Sequence, residues 1–325
     1  MSSSASTRTT SPGFLPDDSI DEKILKIQRQ ELKFTHLNKI YWPKERLTKR
    51  DLLNYYDKVA PYILPYMENR PQSLNRHPNG INGLHFYQKN TEGKVADWIT
   101  TYRFNSESVG DIDFMVCTGK ASLLYMANLG CIEMNPWHSR IQFPDRPDWC
   151  VIDLDPDKNP FSQVIECALV IKKILDVLKI PACCKTSGAT GMHIFIPLGA
   201  KYTYDQSRLL ARLIVGEAHR QLTAFTSLER TPAKRKGKIY LDFLQNRAIQ
   251  TLAAPYSVRP RPGATVSTPL YWEELTKKLK PEIFNIYNIH DRLKKEGDLF
   301  KPVLGKGIDL EAAAKRMSAQ SAQQS

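Results

Sequence analysis

The segment WCVIDLD, residues 149–155, alternates between apolar and acidic side chains in its second half and stops at a proline. Successive side chains of a β-strand point to opposite faces, so Asp153 and Asp155 share one face of the predicted strand. Ile152 and Leu154 point the other way, into an apolar core. The segment therefore predicts a strand of the fold and a pair of carboxylates on one face of the sheet.

Two more strands and two helices are predicted after this segment. The strands are MHIFIP (192–197) and KIYLDFL (238–244), and apolar residues recur at helical spacing in residues 161–178 and 205–222. Asn159 and Pro160 are expected to supply the N-cap and the first residue of the first of these helices. This alternation of strands and helices predicts an α/β catalytic core.

The rest of the chain divides into a second folded portion and two tails. Residues 30–145 have a mixed α+β pattern, and Thr48 with Asp51 forms the capping pattern that opens a helix. Residues 1–22 contain few apolar residues and are predicted to be disordered, and residues 306–325 are predicted to be a flexible tail. Residues 23–305 then form the folded domain.

Composition points to a polyanionic partner. The 325-residue chain has a net charge of +12 and an isoelectric point near 9.3, which favours nucleic acid. The six cysteines form no C-x-x-C pair, so we expect reduced thiols and no structural zinc. The sequence has no apolar run of 18 residues, so we predict no transmembrane helix and no membrane partner.

Asp242 lies in the 238–244 strand and is expected near Asp153 and Asp155. Three aspartates on neighbouring strands can hold two Mg²⁺ or Mn²⁺ ions, which prefer carboxylate oxygen and leave room for triphosphate oxygens. An isolated D-x-D is more often a solvated turn. An EF-hand is excluded because Lys158 and Val164 stand where that loop needs Gly and Glu.

Two segments are suited to binding phosphate. The turn KTSGATG (185–191) has two glycines that let backbone N–H groups approach an anion, and His193 follows it on the next strand. Arg259 and Arg261 share one side of a segment that its prolines hold extended, which suits bidentate binding of a triphosphate. The alternatives are that the glycine turn is a plain connection, that His193 is a core residue and that the arginine segment is a surface loop.

Other residues are candidates for contacts with DNA. Basic clusters at residues 44–50 and 234–238 could follow a phosphate backbone, although such runs are usually solvated faces. Phe86 and Tyr87 could stack on a base, although one member of an adjacent aromatic pair commonly lies in a core.

Seven segments occur in an order that is more specific than any one of them. They are LNKIYWP (37–43), HFYQKN (85–90), IEMNPW (132–137), IDLDP (152–156), KTSGATGMH (185–193), LDFLQN (241–246) and YSVRPRPGA (256–264). In this order they resemble the polymerase domain of bacterial DNA ligase D, a branch of the archaeo-eukaryotic primase superfamily. The resemblance covers about residues 28–300.

The resemblance implies a primase-like α/β fold with two β-sheet modules, flanking helices and an active site between the modules. It implies a template-directed nucleotidyltransferase that adds nucleotides, with a preference for ribonucleotides, at DNA ends and gaps in non-homologous end joining. Mn²⁺ or Mg²⁺ would be the cofactor, nucleoside triphosphates (ribo or deoxyribo) the substrates, and gapped or 5′-phosphorylated DNA the partner. The resemblance also implies Ku and a DNA ligase as partners. It implies a location in the bacterial cytoplasm.

The resemblance also implies residue roles. The metal ligands and catalytic residues would be Asp153, Asp155 and Asp242. The nucleotide would be bound by a larger set: Ser187, His193, Arg259, Arg261, Asn135, Thr190 and Gln245. The DNA 5′-phosphate would be bound by Lys39 and Lys49, and the templating base by Phe86 and Tyr87.

Two positions depart from the family pattern. Asn135 stands in EMNPW where many relatives have a histidine, and Thr190 stands in the glycine turn where relatives often have lysine. Both changes remove positive charge that could lie near the nucleotide. They affect the expected nucleotide affinity and pH dependence rather than the reaction class.

Two other functions remain open from the sequence. The chain could be a stand-alone primase that serves replication or a mobile element, or a non-catalytic nucleic-acid-binding module that kept the fold. The presence of all three aspartates, Ser187 and His193 argues against the non-catalytic module. The two lysines that match a 5′-phosphate pocket favour repair over priming.

Overall fold

Two β-sheets and the helices around them form the framework of the chain. The computed structural model describes residues 14–16, 19–105 and 110–324. The N-terminal half contains β1 (Lys23–Ile27), β2 (Gln30–Phe34), β3 (Ile40–Trp42), β4 (Leu47–Thr48), α1 (Lys49–Ile63), β5 (Arg70–Arg76), β6 (Phe86–Gln88), β7 (Thr101–Phe104), β8 (Ile112–Cys117), α2 (Lys120–Asn128) and β9 (Cys131–Pro136).

The C-terminal half supplies the second sheet and most of the remaining helices. Its elements are β10 (Trp149–Asp155), α3 (Phe161–Val177), β11 (Cys183–Thr186), β12 (Met192–Pro197), α4 (Tyr204–Gln221), β13 (Thr226–Ser227), β14 (Ile239–Asp242), β15 (Pro269–Leu270), α5 (Ile289–Glu296) and α6 (Leu310–Gln324). Short 3₁₀ turns occur at Leu64–Tyr66, Pro232–Lys234, Trp272–Glu274, Pro281–Ile283 and Lys301–Leu304.

The larger sheet has six strands in the order β13-β14-β10-β12-β11-β15, and all its pairs except β13–β14 are antiparallel. The smaller sheet joins β6, β5, β8 and β7, with β9 paired to β5. Two hairpins, β1–β2 and β3–β4, lie outside both sheets. Two sheet modules with flanking helices are the architecture that the resemblance implied.

The two faces of the six-stranded sheet enter different cores. Cys150, Ile152 and Leu154 lie in a core that also contains the buried faces of α3 and α4. Trp149 and Val151 lie on the other face, in a core shared with α1, α2 and the smaller sheet. Because strand side chains alternate, the face that carries Trp149 and Val151 also carries the aspartates of β10. The fold thus directs these carboxylates toward the junction of the two modules.

Most of the central elements match their predicted bounds. The strands at 149–155 and 192–197 have the predicted limits, and Thr48 and Asp51 form a reciprocal capping box on α1. Two details were wrong. Pro160, not Asn159, is the N-cap of α3, and the Asn159 side chain instead donates to the carbonyl oxygens of Pro156 and Gly237. The strand predicted at 238–244 is shorter, because the chain turns after Asp242.

The terminal segments contain more structure than their composition suggested. Residues 1–13 and 17–18 of the predicted disordered segment lie outside the described residues, but Leu15 is buried and exchanges two hydrogen bonds with Asn54. The predicted flexible tail at 306–325 is instead largely helical. Ala313 of α6 is buried, and Arg316 donates to the Leu178 carbonyl oxygen. Good helix formers in the tail gain stability by packing on α3.

Candidate active site

A row of four polar side chains crosses the six-stranded sheet. Asp242, Asp153, His193 and Lys185 are consecutive register partners on β14, β10, β12 and β11. Directly opposed residues of an antiparallel pair project to the same face, so all four side chains face the smaller module. The sheet thereby combines residues from four separate sequence segments.

The carboxylates of this row repel one another. Burial, and then the nearby Asp242 and Asp155, raise the pKa of Asp153 to about 7, against the opposing effect of Lys185 and Arg259. Burial also raises the pKa of Asp242, although hydrogen bonds from the Leu244 N–H and other donors oppose the shift. Buried like charges of this kind are stabilised by a bound cation.

The three aspartates are suitable ligands for hard divalent cations, although each carboxylate now contacts another side chain of the protein. Asp155 Oδ2 lies 3.1 Å from Arg235 Nη1, and Asp153 Oδ1 lies 3.4 Å from His193 Nε2. Asp242 Oδ2 accepts from Gln245 Nε2 at 3.1 Å. Within the described ranges, no three acidic, histidine or cysteine side chains are already gathered as metal ligands. Metal binding would require these aspartates to exchange their present partners.

The glycine turn is organised by the Ser187 side chain. Ser187 Oγ accepts from the N–H groups of Ala189 at 3.1 Å and Gly191 at 3.0 Å. Gly188 has a φ of +70°, which an L side chain rarely adopts. A Cβ at Gly191 would lie 2.2 Å from the Leu154 carbonyl oxygen. Gly191 therefore allows the turn to lie directly against the strand of the aspartates, while Gly188 allows its close approach to Ser267 and Arg259.

The two predicted arginines have different surroundings. Arg259 donates from Nη1 to the Ser187 carbonyl oxygen at 2.6 Å, and its Nε lies 2.9 Å from Glu133 Oε2. Arg261 is exposed, and its carbonyl oxygen accepts from Trp42 Nε1 at 2.8 Å. Arg259 is thus fixed between the glycine turn and β9, whereas the side chain of Arg261 is open to solvent.

A cleft of about 300 Å³ collects most of the predicted site residues. Those that line it are Asp153, Asp155, Ser187, Thr190, His193, Asn135, Arg259, Arg261 and Tyr87. Asp242 and Gln245 lie beside it in the sheet and the following turn, while Lys39, Lys49 and Phe86 lie away from it. The cleft is therefore lined both by carboxylates and by groups of the kind that can bind phosphate.

The predicted aromatic pair is divided between two environments. Phe86 and Tyr87 are adjacent on β6, so their rings point to opposite faces. Tyr87 lines the cleft, and its hydroxyl accepts from Asn75 at 3.4 Å. Phe86 is 47% exposed and lies 5.3 Å from the Arg76 guanidinium carbon. The two rings cannot form one stacking surface.

The predicted lysine pair forms a second basic site. Lys49 is 4% exposed, and its Nζ donates to the Thr35 carbonyl oxygen at 2.7 Å. Burial, and then repulsion from Lys39 and Arg76, lower the pKa of Lys49 to about 8, against the opposing effect of Asp21. Repulsion between these cations indicates a site that an anion would stabilise.

Four site residues were given no individual role by the sequence. Glu133 pairs with Arg259, Arg235 pairs with Asp155, and Arg76 joins Phe86 to the lysine pair. Lys185 is fully buried, and burial and then Arg259 lower its pKa well below the usual value. Its position at the start of KTSGATG was the one available signal, since the Glu133–Arg259 and Arg235–Asp155 pairs join distant segments and the Arg76–Phe86 contact depends on the pairing of β5 with β6.

Comparison with known proteins identifies the family of this chain. The profile of the LigD primase-polymerase domain matches residues 48–300, which is most of the chain. The chain belongs to the LigD primase-polymerase domain family. The resemblance and the fold class inferred from the sequence are thereby confirmed, and the chain is an enzyme of the metal-dependent nucleotidyltransferase class.

Curated relatives are longer multifunctional proteins. The bifunctional non-homologous end joining protein LigD of Bacillus subtilis is 33% identical over 269 residues, which are 82% of this chain and 43% of that protein. The multifunctional LigD of Pseudomonas aeruginosa is 30% identical over 263 residues, which are 81% of this chain and 31% of that protein. The chain thus spans less than half the length of these relatives.

A solved structure supports the fold. The polymerase domain of Mycobacterium tuberculosis ligase D, in complex with DNA, superimposes with a TM-score of 0.78 at 24% identity. The match covers 85% of this chain and 99% of that one. Among the described residues, no helix is both long and apolar enough to cross a membrane.

Proposed function

We propose that this domain adds nucleotides, directed by a template strand, to the 3′-hydroxyl at gaps and ends of broken DNA during non-homologous end joining. The observation that carries the proposal is the cleft, which Asp153 and Asp155 line together with Ser187 and Arg259. A nucleoside triphosphate needs both sets of groups, one for metal-bound oxygens and the other for phosphates.

Asp153, Asp155 and Asp242 are proposed to hold two Mg²⁺ or Mn²⁺ ions. Such a pair of ions, when bound, activates the attacking hydroxyl and stabilises the leaving pyrophosphate. The chain's own contribution is to fix the three carboxylates on the adjacent strands β10 and β14, where Asp153 and Asp155 line the cleft. Arg235 and Gln245, which now contact two of them, would give way to the ions or to phosphate oxygens.

The glycine turn and the arginines of the cleft are proposed to bind the nucleotide. Backbone N–H groups of the Ser187 turn and the guanidiniums of Arg259 and Arg261 would contact the triphosphate. The remaining predicted contacts come from His193, Asn135, Thr190 and Gln245. Since Asn135 and Thr190 are neutral, the arginines carry most of the positive charge available here.

The DNA is proposed to reach the cleft from the smaller module. Tyr87 lies in the cleft where it could contact the templating base, and Phe86 lies beside Arg76 on the opposite face of β6. Lys39 and Lys49 would bind the recessed 5′-phosphate of a gap. The net charge of +12 supports DNA as the partner. Cooperation with Ku and a ligase in a bacterial cytoplasm belongs to the same proposal.

Primer extension on a gapped, 5′-phosphorylated duplex with Mn²⁺ tests the proposal. We expect single nucleotides to be added opposite the template, with ribonucleotides used at least as fast as deoxyribonucleotides in single turnover. A polar pocket can bind a ribonucleotide more tightly, because the 2′-hydroxyl both donates and accepts hydrogen bonds. A protein that binds the duplex but adds no nucleotide would support the non-catalytic alternative, and a strong deoxyribonucleotide preference would contradict the sugar assignment.

A further inference from the structure

A short turn presents Arg261 to the cleft. The side chain of Arg261 is exposed and lines the cleft. Residues 259–265, here called the arginine turn, are closed by a backbone hydrogen bond of 2.8 Å between the first and last of them. Pro260 and Pro262 flank Arg261 and have no N–H group to donate. Contacts from outside the turn therefore matter more for the position of its backbone.

The β3–β4 hairpin supplies two such contacts. Trp42 Nε1 donates to the Arg261 carbonyl oxygen at 2.8 Å, and Glu45 Oε1 accepts from the Gly263 N–H at 2.5 Å. Gly263 has a φ of +84°, a conformation that favours glycine. One hydrogen bond on each side of Pro262 thus ties the arginine turn to the hairpin.

The hairpin itself is well anchored. Trp42 is fully buried in the core that it shares with α1. The Tyr41 carbonyl oxygen accepts from the Ile81 N–H at 2.9 Å, and the Lys49 N–H donates to the Lys39 carbonyl oxygen at 2.9 Å across the base of the hairpin. The arginine turn is therefore attached to a fixed part of the N-terminal half of the chain.

We infer that Glu45 is a positioning residue for the triphosphate: together with Trp42 it fixes the backbone of the arginine turn, so that the exposed guanidinium of Arg261 stays at the cleft. Glu45 does not line the cleft, so it acts through Arg261. A group that is held in place before binding loses less conformational entropy when the ligand arrives. The inference rests on the proposed function for its ligand.

The charge of Glu45 makes the inference testable. By charge alone, removal of a carboxylate should favour the binding of a triphosphate anion, because like charges repel. Loss of a positioning contact has the opposite effect on affinity. Glu45→Gln removes the charge but keeps an oxygen that can accept from the Gly263 N–H, whereas Glu45→Ala removes both. The two variants therefore separate position from charge.

The first test is hydrogen exchange at the Gly263 amide, measured by NMR without nucleotide. Labelling with carbonyl-carbon-13 proline and nitrogen-15 glycine selects glycines that follow a proline, which in this sequence are Gly13 and Gly263. The Gly13 signal is the one that Pro12→Ala removes. We expect exchange at Gly263 to be slow in the wild-type protein and at least roughly 10-fold faster in Glu45→Ala, the effect of losing one hydrogen bond to a charged group. Glu45→Gln should keep most of the protection. An unprotected Gly263 amide in the wild-type protein would overturn the inference without any variant.

The second test is the affinity for nucleotide. A gapped duplex whose primer lacks the 3′-hydroxyl allows a nucleotide to bind without being added, and titration with Mn²⁺ and ATP opposite a templating thymine gives the Kd. We expect Glu45→Ala to raise this Kd by roughly 3- to 10-fold and Glu45→Gln to stay near the wild-type value. The control is Glu31→Ala, which makes the same change of charge at an exposed position of β2. An unchanged or lower Kd in Glu45→Ala would overturn the inference.

The same titration in an Arg261→Ala background shows whether Glu45 acts through this arginine. If it does, Glu45→Ala should cause no further loss of affinity once Arg261 is absent, because effects that share a partner are not additive. An equal loss in both backgrounds would overturn the inference. Primer extension tests the proposed function separately. A wild-type protein whose nucleotide affinity depends on Glu45 in this way, but which adds no nucleotide, would contradict the proposed function and support the inference.

Discussion

Asp153 of β10 lies directly opposite Asp242 of β14 in an antiparallel register. Side chains paired in this way are held within a few ångströms of each other on one face of the sheet, so two partly buried carboxylates are forced together. The sheet, rather than a flexible loop, therefore sets the distance between the two candidate metal ligands. Their mutual repulsion should therefore lower the stability of the metal-free protein, which can be measured.

The first prediction concerns activity. Asp153→Ala, Asp155→Ala or Asp242→Ala should reduce nucleotide addition by at least roughly 10²-fold, because each removes a group that positions charge-stabilising ions. Affinity for the gapped duplex should hardly change, since cationic side chains elsewhere contact the backbone. The matched control is Asp157→Asn, two residues beyond Asp155 with a φ of 51° that asparagine tolerates. An Asp155→Ala variant that extends primers at the wild-type rate would contradict the assignment.

The second prediction concerns stability without and with metal. Asp153→Asn should raise the Tm of the metal-free protein, because it removes one of the buried like charges that burial already disfavours. The same variant should lose the rise in Tm that Mn²⁺ produces in the wild-type protein, since binding to the native state stabilises it. Thermal unfolding with Mn²⁺ and with a chelator measures both effects. A metal-free variant less stable than the wild type would show that the carboxylate is held by hydrogen bonds instead.

The six-stranded sheet could be predicted from sequence because its strands alternate. Residues 149–155 and 192–197 each carry one apolar face and end at a proline, so both bounds were found. The smaller sheet gave no such signal. Its strands β5 (RPQSLNR) and β9 (CIEMNP) are buried but contain several polar residues, so neither shows an apolar run or a regular alternation. The second module was therefore expected only as an α+β portion.

The sequence predicted which types of residue form the site, but it did not predict which of them contact one another. The aspartates, the glycine turn and the arginines are local patterns with a chemical reason for their spacing. The pairs Glu133–Arg259 and Arg235–Asp155 join residues distant in sequence, and only the packing of the two modules creates them. The separation of Phe86 from Tyr87 follows from strand geometry, but it required knowing that this segment is a strand.

The third prediction concerns the contact between the glycine turn and β10. Gly191→Ala should destabilise the protein by about 1–3 kcal/mol, because the new methyl group would overlap the Leu154 carbonyl oxygen between the two aspartates of β10. Nucleotide addition should fall as well. Gly216→Ala is the matched control: Gly216 lies in α4 with open space around it, and alanine there should stabilise by roughly 0.5–1 kcal/mol. Equal effects of the two changes in denaturant unfolding would contradict close packing at Gly191.

The fourth prediction concerns Lys39 and Lys49, which are close enough for their charges to interact. If they bind a recessed 5′-phosphate, changing both to alanine should weaken binding to a gapped duplex with that phosphate. Binding to the same duplex with a 5′-hydroxyl should hardly change. Fluorescence anisotropy with both duplexes at two salt concentrations measures this difference, and the phosphate-specific part should weaken with salt. Equal losses on the two duplexes would assign these lysines to general backbone attraction.

The preference for a duplex with a 5′-phosphate over one with a 5′-hydroxyl should depend on pH, and this dependence tests the same site in the wild-type protein. Burial, and then Lys39 and Arg76, lower the pKa of Lys49 to about 8, while Asp21 opposes them. Lys49 is therefore charged below pH 8 and neutral above it, whereas a terminal phosphate stays dianionic throughout because its second pKa is about 6. The preference for the 5′-phosphate should be full at pH 7 and should decline as the pH rises through 8. Lys49→Arg, which stays charged, should keep it at higher pH. An equal decline in both proteins would show that another group titrates, and a wild-type preference that does not decline would show that Lys49 does not supply the charge.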